Sequence, residues 1–209
     1  MSLYGKNFKN ETYIHPTAEV FANAKIGRGT KIWNLTQLRV DCVVGKNCSL
    51  GKGVYIDCQV KIGNNVKIQN GVSVYRGVTI EDDVFIGPHA IFTNDLYPRS
   101  FHKNWQIVPT LIKKGASLGA GSVTICGNTV GKYAMVGAGS VITKDVPDHA
   151  LVVGNPGRII GFVCKCGHRL KTAAEKEVTV RMKCESCHKF TSISKKEYRR
   201  IREKPVPKK

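Results

Sequence analysis

Four cysteines toward the C-terminal end carry the most specific chemistry in the chain. One residue separates Cys164 from Cys166, two separate Cys184 from Cys187, and seventeen lie between the pairs. Two cysteine pairs at that separation look like a zinc ribbon, with four thiolates around one structural Zn²⁺. The first pair lies in the phrase CKCGH and is closer than the usual CxxC, so His168 or His188 could replace a cysteine. Four thiolates leave no open position, so this zinc would fold its module rather than catalyse. A second group of side chains suits proton transfer and anion binding. His89 lies five residues before Asn94, and an imidazole titrates near neutral pH. Tyr75, Arg76 and Arg99 flank that stretch, and a guanidinium can pair with a carboxylate or diphosphate. Read singly, each of these is an ordinary solvated side chain.

The elements that must position these groups follow from a six-residue period. From Ile14 through Val20, Ile26, Ile32 and Leu38 to Ile86 and Phe92, every sixth residue is large and apolar. The residue four later, from Ala18 to Ala90, is small or β-branched. Gly follows the large residue at positions 27, 45, 51, 63 and 87. No amphipathic helix has period six, and a lone alternating strand cannot hold phase this long. The period predicts a solenoid. Each hexapeptide supplies a short strand and a turn, and three make a triangular coil. The large residue and its i+4 partner point inward, and i+1 and i+2 suit the corners. Coils then stack at ~4.8 Å. A β-sandwich would instead show alternation broken by turns every ~8–12 residues. In this frame His89 is at an outward i+3 position, and His15 before Pro16 is structural.

The phase fails after Phe92 and resumes at Ile112, a step of twenty residues. Thr93–Leu111 must therefore loop out. It carries two prolines and three large aromatics, which predict an ordered loop packed on something. Its His102 is a weaker acid–base candidate. Thr124 with Asn128 is the weakest hexapeptide. The expected organisation is a flexible lead-in over 1–13, the solenoid over 14–162 with its loop at 93–111, a zinc-ribbon-like module over 163–192 and a basic tail over 193–209.

Composition bounds the rest. The 209 residues carry a formal charge of +18, and residues 163–209 hold 15 Lys/Arg against 5 acidic residues. That balance favours anionic partners without choosing among them. Cys42, Cys48, Cys58 and Cys126 fall inside the repeats and read as small core residues. No signal peptide and no apolar run long enough to span a bilayer are found, so a cytoplasmic location is expected.

The phrases GAGSVITKDVP (137–147) and VVGNPGRIIG (152–161) resemble the closing coils of left-handed β-helix acyltransferases. The stretch KIQNGVSVYRGVTIEDDVFIGPHAIFTNDLYPRS (67–100) resembles the nucleotide-sugar 3-N-acetyltransferases. It looks most like those acting on UDP-2-acetamido-3-amino-2,3-dideoxy-glucuronate, with the dTDP-3-amino-3,6-dideoxyhexose enzymes as cousins. The resemblance covers 14–162. It implies an all-β, left-handed parallel β-helix, assembled as a homotrimer with active sites between neighbouring helices and acetyl-CoA along the C-terminal coils. Asn94 matches the Asn of the FTN phrase and would hold the amine or the tetrahedral oxyanion. Asp95 would hydrogen-bond the amine or the sugar, and His89 would take the proton released as the amide forms. Ala120, Gly137 and Ala138 would let a pantetheine arm approach the backbone, while Lys144 and Arg158 would meet CoA phosphates.

The expected function is therefore acetyl-CoA-dependent N-acetylation of a nucleotide-linked amino sugar, in the 3-amino position, for bacterial surface polysaccharide. A zinc-dependent γ-class carbonic anhydrase on this fold needs an HxxxxH pair, which His15, His89, His102 and His149 do not supply. An O-acetyltransferase would need a firmer general base. A nucleic-acid-binding or scaffold protein would use the cysteine module and basic tail, but aromatics are sparse there, with only Phe190 and Tyr198.

Overall fold

The computed structural model describes residues 11–201. Most of the lead-in expected over 1–13, and the end of the basic tail beyond residue 201, lie outside the described residues.

Strands of two or three residues run from Tyr13–Ile14 to Val141–Ile142. They stack into three sheets with parallel pairing, in about eight turns. Before the coil that carries the loop, strand residues pair with those 18 positions on, as Tyr13 does with Lys31 and Lys31 with Ser49. The hexapeptide register explains this. The second residue of each strand points inward, so Ile32, Leu38, Leu50 and Ile56 are fully buried. So are their i+4 partners Thr36, Cys42, Val54 and Val60. Each such aliphatic side chain contributes about 1.5–3 kcal/mol on burial. Ile14 and Val20 differ from the expected pattern, being 43% and 39% exposed, because among the described residues no coil stacks above the first.

The corners differ from expectation in a second way. The left-handed backbone falls at i+3, not at i+1 or i+2: Asn47, Asn65, Asp83 and His89 all have φ of 55–61°. Asn and Asp tolerate this conformation because their short polar side chains bond locally. Asn47 and Asn65 each donate from Nδ2 to Oδ1 of the residue one coil on, ending at Asp83. Gly at i+1 serves another purpose. A Cβ on Gly27 would stand 2.5 Å from the carbonyl carbon of Gly45 in the next coil, so the coils touch there through bare backbone.

The long loop inserts at one corner. Phe85 pairs with Ser117, 32 positions on rather than 18, so 14 residues are added to that coil. The loop ends sooner than expected, since Thr110–Ile112 forms a strand paired with Val78–Ile80 and Leu111 faces Thr129. Thr124 and Asn128 stay inward despite their polarity, at 0% and 9% exposure. Of the repeat cysteines, Cys42, Cys48 and Cys126 are buried as expected, whereas Cys58 is only half-buried at a corner. Burial pushes the Cys42 thiol up to about 11, keeping it neutral.

After Ile142 the chain makes an antiparallel hairpin, Ala150–Val153 with Arg158–Phe162, that extends one solenoid sheet. A three-stranded antiparallel sheet follows: Leu170–Glu175, Thr179–Cys184 and Phe190–Ser194. Its third strand crosses the boundary expected at residue 192, because Ile193 is buried in its core. A short helix, Lys195–Arg199, is capped by the Ser194 side chain. Tyr198 lies parallel to Phe162, with centroids 6.4 Å apart, which ties this module to the solenoid end. No described helix is long and apolar enough to cross a membrane.

Candidate functional site

Beyond Leu35, one edge of the solenoid has glycine at most of its i+3 corner positions. Gly53, Gly71, His89, Gly121 and Gly139 stack there, and each donates its N–H to the coil before it. A Cβ on Gly53, Gly121 or Gly139 would meet nothing within 4 Å. Ala120 and Ala138 lie beside Gly121 and Gly139 and are exposed. His89 is the one large side chain in this run, and its ring lies over Gly71, where a Cβ would come within 2.6 Å of Nδ1 and Cε1. The edge is thus a smooth open track that leads to a single exposed imidazole.

Asn94 belongs to a different edge. Its Nδ2 donates to the carbonyl of Arg76, one coil before, at 3.3 Å, and its own carbonyl accepts from Val108 N at 3.0 Å. Below it the Arg76 N–H donates to Asp57 Oδ2 at 3.1 Å, and the Tyr55 hydroxyl donates to Asp57 Oδ1 at 3.1 Å. Burial raises the Asp57 carboxyl, but hydrogen bonds from Cys58 N, Arg76 N and Tyr55 outweigh it and leave the group below its ordinary value. The Tyr55 and Tyr75 rings lie 6.0 Å apart. Tyr55 and Asp57 are not among the residues that the sequence singles out; the available signal is the 18-residue coil, which stacks Asn94 on Arg76 and places Asp57 one coil before Tyr75.

The loop folds a shallow cavity of about 520 Å³ against this second edge, lined by Asn94, Asp95, Arg99, His102 and Trp105 among others. Asp95 turns its Oδ1 to Tyr97 N at 2.8 Å, and Arg99 donates to the Pro98 carbonyl. The structure therefore gathers Asn94, Asp95 and Arg99 and adds His102. His89 is not brought to them within one chain. The loop also departs from the expected packing. Tyr97, Phe101 and Trp105 are 78%, 74% and 49% exposed, and the loop is seated by Ile107 and Val108 against Gly77 and Gly127.

The residues expected to hold CoA divide similarly. Ala120 and Ala138 lie on the His89 edge, and Gly137 adjoins them, where a Cβ would crowd Val153 at 2.9 Å. Lys144 and Arg158 line a separate pocket of about 230 Å³ at the solenoid end, together with Arg200.

The four cysteines converge, with all Sγ atoms within 4.8 Å of one another. The separations are 3.5 Å for Cys164–Cys187 and 3.6 Å for both Cys166–Cys184 and Cys166–Cys187. A tetrahedral thiolate set with Zn–S near 2.3 Å puts sulfurs roughly 3.8 Å apart, so the donors fit. His168 lies beside Cys166, with Nδ1 3.6 Å from Sγ, and all four cysteines remain in the cluster. The Lys189 backbone N–H, helped by the other thiols, lowers the Cys187 thiol to about 7.

The repeats have counterparts among known proteins. Residues 59–94 match the family model described as bacterial transferase hexapeptide (six repeats), and 109–144 match the hexapeptide repeat of succinyl-transferase. Each match spans 36 residues, and together they show that the chain is similar to hexapeptide-repeat transferases. Its particular likenesses are to acetyltransferases. Over 62 residues it is 63% identical to the dTDP-3-amino-3,6-dideoxy-alpha-D-galactopyranose 3-N-acetyltransferase of Aneurinibacillus thermoaerophilus, a match covering 30% of this chain and 32% of that protein. The match thus spans about a third of that relative's length. A mutant GDP-perosamine N-acetyl transferase from Caulobacter crescentus, solved with CoA and GDP-perosamine, superposes with a TM-score of 0.51 at 25% identity, covering 73% of this chain and 57% of that one. A hexapeptide-repeat-containing acetyltransferase from Vibrio cholerae O1 biovar eltor, solved with acetyl coenzyme A, gives 0.51 at 26% identity, covering 56% and 68%.

Proposed function

We propose that the protein is an acetyl-CoA-dependent N-acetyltransferase acting on the amino group, in the 3-position, of a nucleotide-linked sugar for bacterial surface polysaccharide, in the cytoplasm. The observation that carries this reading is the open track of Gly and Ala ending at His89. A pantetheine arm can lie along it with its thioester beside the imidazole. The neutral amine attacks the thioester carbonyl, a C–N bond forms, and the C–S bond breaks to release the CoA thiol. His89 takes the amine proton. Asn94 holds the amine or the oxyanion, with Asp95, Tyr75, Arg76 and Arg99 orienting the sugar nucleotide.

His89 and Asn94 stand on different edges, so one centre using both needs two subunits. The proposed assembly is a homotrimer of left-handed β-helices in which His89 faces Asn94 of the partner subunit. The exposed loop aromatics would then pack on that neighbour. The cysteine cluster is proposed as a structural zinc site of a ribbon-like module.

Thiol release from acetyl-CoA, measured with a panel of UDP-, dTDP- and GDP-linked amino sugars beside a gel shift, tests the function. Turnover with at least one sugar is expected. A gel shift with no thiol release from any amino sugar would reverse the reading in favour of nucleic-acid binding. Mixing inactive His89→Ala and Asn94→Ala proteins under subunit exchange tests the shared site. Regained turnover is expected, and none regained would place both groups in separate roles.

A further inference from the structure

The pocket at the solenoid end is lined by cations from three elements. Lys144 comes from the corner after the last two-residue strand, Arg158 from the hairpin strand Arg158–Phe162, and Arg200 from the C-cap of the terminal helix. None of the three ion pairs found among the described residues involves them. The Arg158 guanidinium donates to the Gly157 carbonyl at 3.1 Å and that of Arg200 to the Asp145 carbonyl at 3.4 Å. Both partners are neutral backbone. The Asp145 carboxylate also lines the pocket, but its Oδ1 already accepts from Thr129 N at 2.7 Å. Three positive groups thus surround about 230 Å³ with one negative group, itself engaged elsewhere. Such an arrangement suits an anion with several acceptor oxygens, and the volume admits phosphate groups rather than a duplex.

Arg200 reaches this pocket only through the appended module. Ser194 caps the helix, Tyr198 stacks on Phe162, and the Lys165 ammonium sits 4.8 Å from the centre of the Tyr133 ring. These contacts hold the helix end against the last coil. We infer that Arg200 is a ligand-binding residue, completing with Lys144 and Arg158 a site for the phosphates at the adenosine end of CoA. The cysteine module then serves the solenoid by carrying the third cation. The inference rests on the proposed use of acetyl-CoA, but it concerns binding alone.

Calorimetric titration of the full chain with adenosine 3′,5′-bisphosphate tests it without any sugar acceptor. Arg200→Gln should weaken binding about tenfold or more, the loss expected for a charge-assisted contact, and Arg200→Lys should recover part of it. Arg199→Gln removes the same charge from an exposed neighbour outside the pocket and should bind like wild type. Zinc content and near-UV circular dichroism verify that each variant is folded. Equal weakening by Arg199→Gln would reduce the effect to general charge and overturn the inference. So would unchanged binding in folded Arg200→Gln, or Arg200-dependent binding of UDP or dTDP in place of the bisphosphate. Arg200-dependent binding without acetyl transfer to any sugar would leave this site standing and overturn the proposed function. Transfer with no role for Arg200 would do the reverse.

Discussion

His89 lies over Gly71, so the imidazole proposed for the chemistry is seated by the turn beneath it. Gly71 has φ of +67° and no room for a Cβ beneath the imidazole. Gly71→Ala should therefore displace the ring and strain the turn, costing about 1–2 kcal/mol of stability and lowering kcat more than it raises the acetyl-CoA KM. Parallel melting and steady-state kinetics check this, and a KM effect alone would mean that the imidazole is not at the reacting centre. On the other edge, Asp57 binds the Arg76 N–H and Tyr55 with its charged form, so its folded pKa is depressed. Its stabilising contribution is then present above the ordinary value of 3.8 and is lost as pH falls through the folded value. Asp57→Asn should be less stable than wild type near pH 7, and the gap should narrow below pH ~4. Thermal melts across that range test the sign.

At the scale of the element, the coil is specified by an inward pair and a left-handed corner. The weakest coil still obeys the pattern. Thr124 is fully buried, and its hydroxyl has no partner among the described residues. An unpaired buried hydroxyl costs about 1–3 kcal/mol, so Thr124→Val, which keeps the shape, should raise the melting temperature. An unchanged or lower value would mean that the hydroxyl is satisfied in solution. The long loop follows another rule. Its backbone is anchored by Asn94 O, and Ile107 and Val108 fill the space over Gly77 and Gly127, while its aromatics face out. Composition indicated that those aromatics should pack, but among the described residues Tyr97, Phe101 and Trp105 stay largely exposed.

For the whole molecule, the module and the solenoid meet through Phe162–Tyr198 stacking and through hydrogen bonds between Val163 and His149. If four thiolates hold zinc, chelation should release about one metal ion per chain. It should unfold the small sheet and leave the solenoid's parallel strands intact, seen as loss of near-UV signal with far-UV strand signal retained. Release of no zinc from purified protein would sink the proposed metal site.

The sequence by itself determined the solenoid, its inward residues, the place where the loop leaves and the convergence of the cysteines. These are local or strictly periodic properties: a large residue every six positions can be buried in one way only, and four thiols at that spacing meet across two turns of one small sheet. Tertiary structure decided what lies beside what. The 18-residue coil puts Asn94 above Arg76, whose N–H in turn meets Asp57, yet leaves His89 on another edge, although Asn94 is only five positions after His89 in sequence. Nearness along a coil turns a corner, so sequence proximity becomes spatial separation, while residues a full coil apart become neighbours. The same logic brings Arg200 to Lys144 and Arg158, a meeting fixed by how the module docks and by no period in the chain.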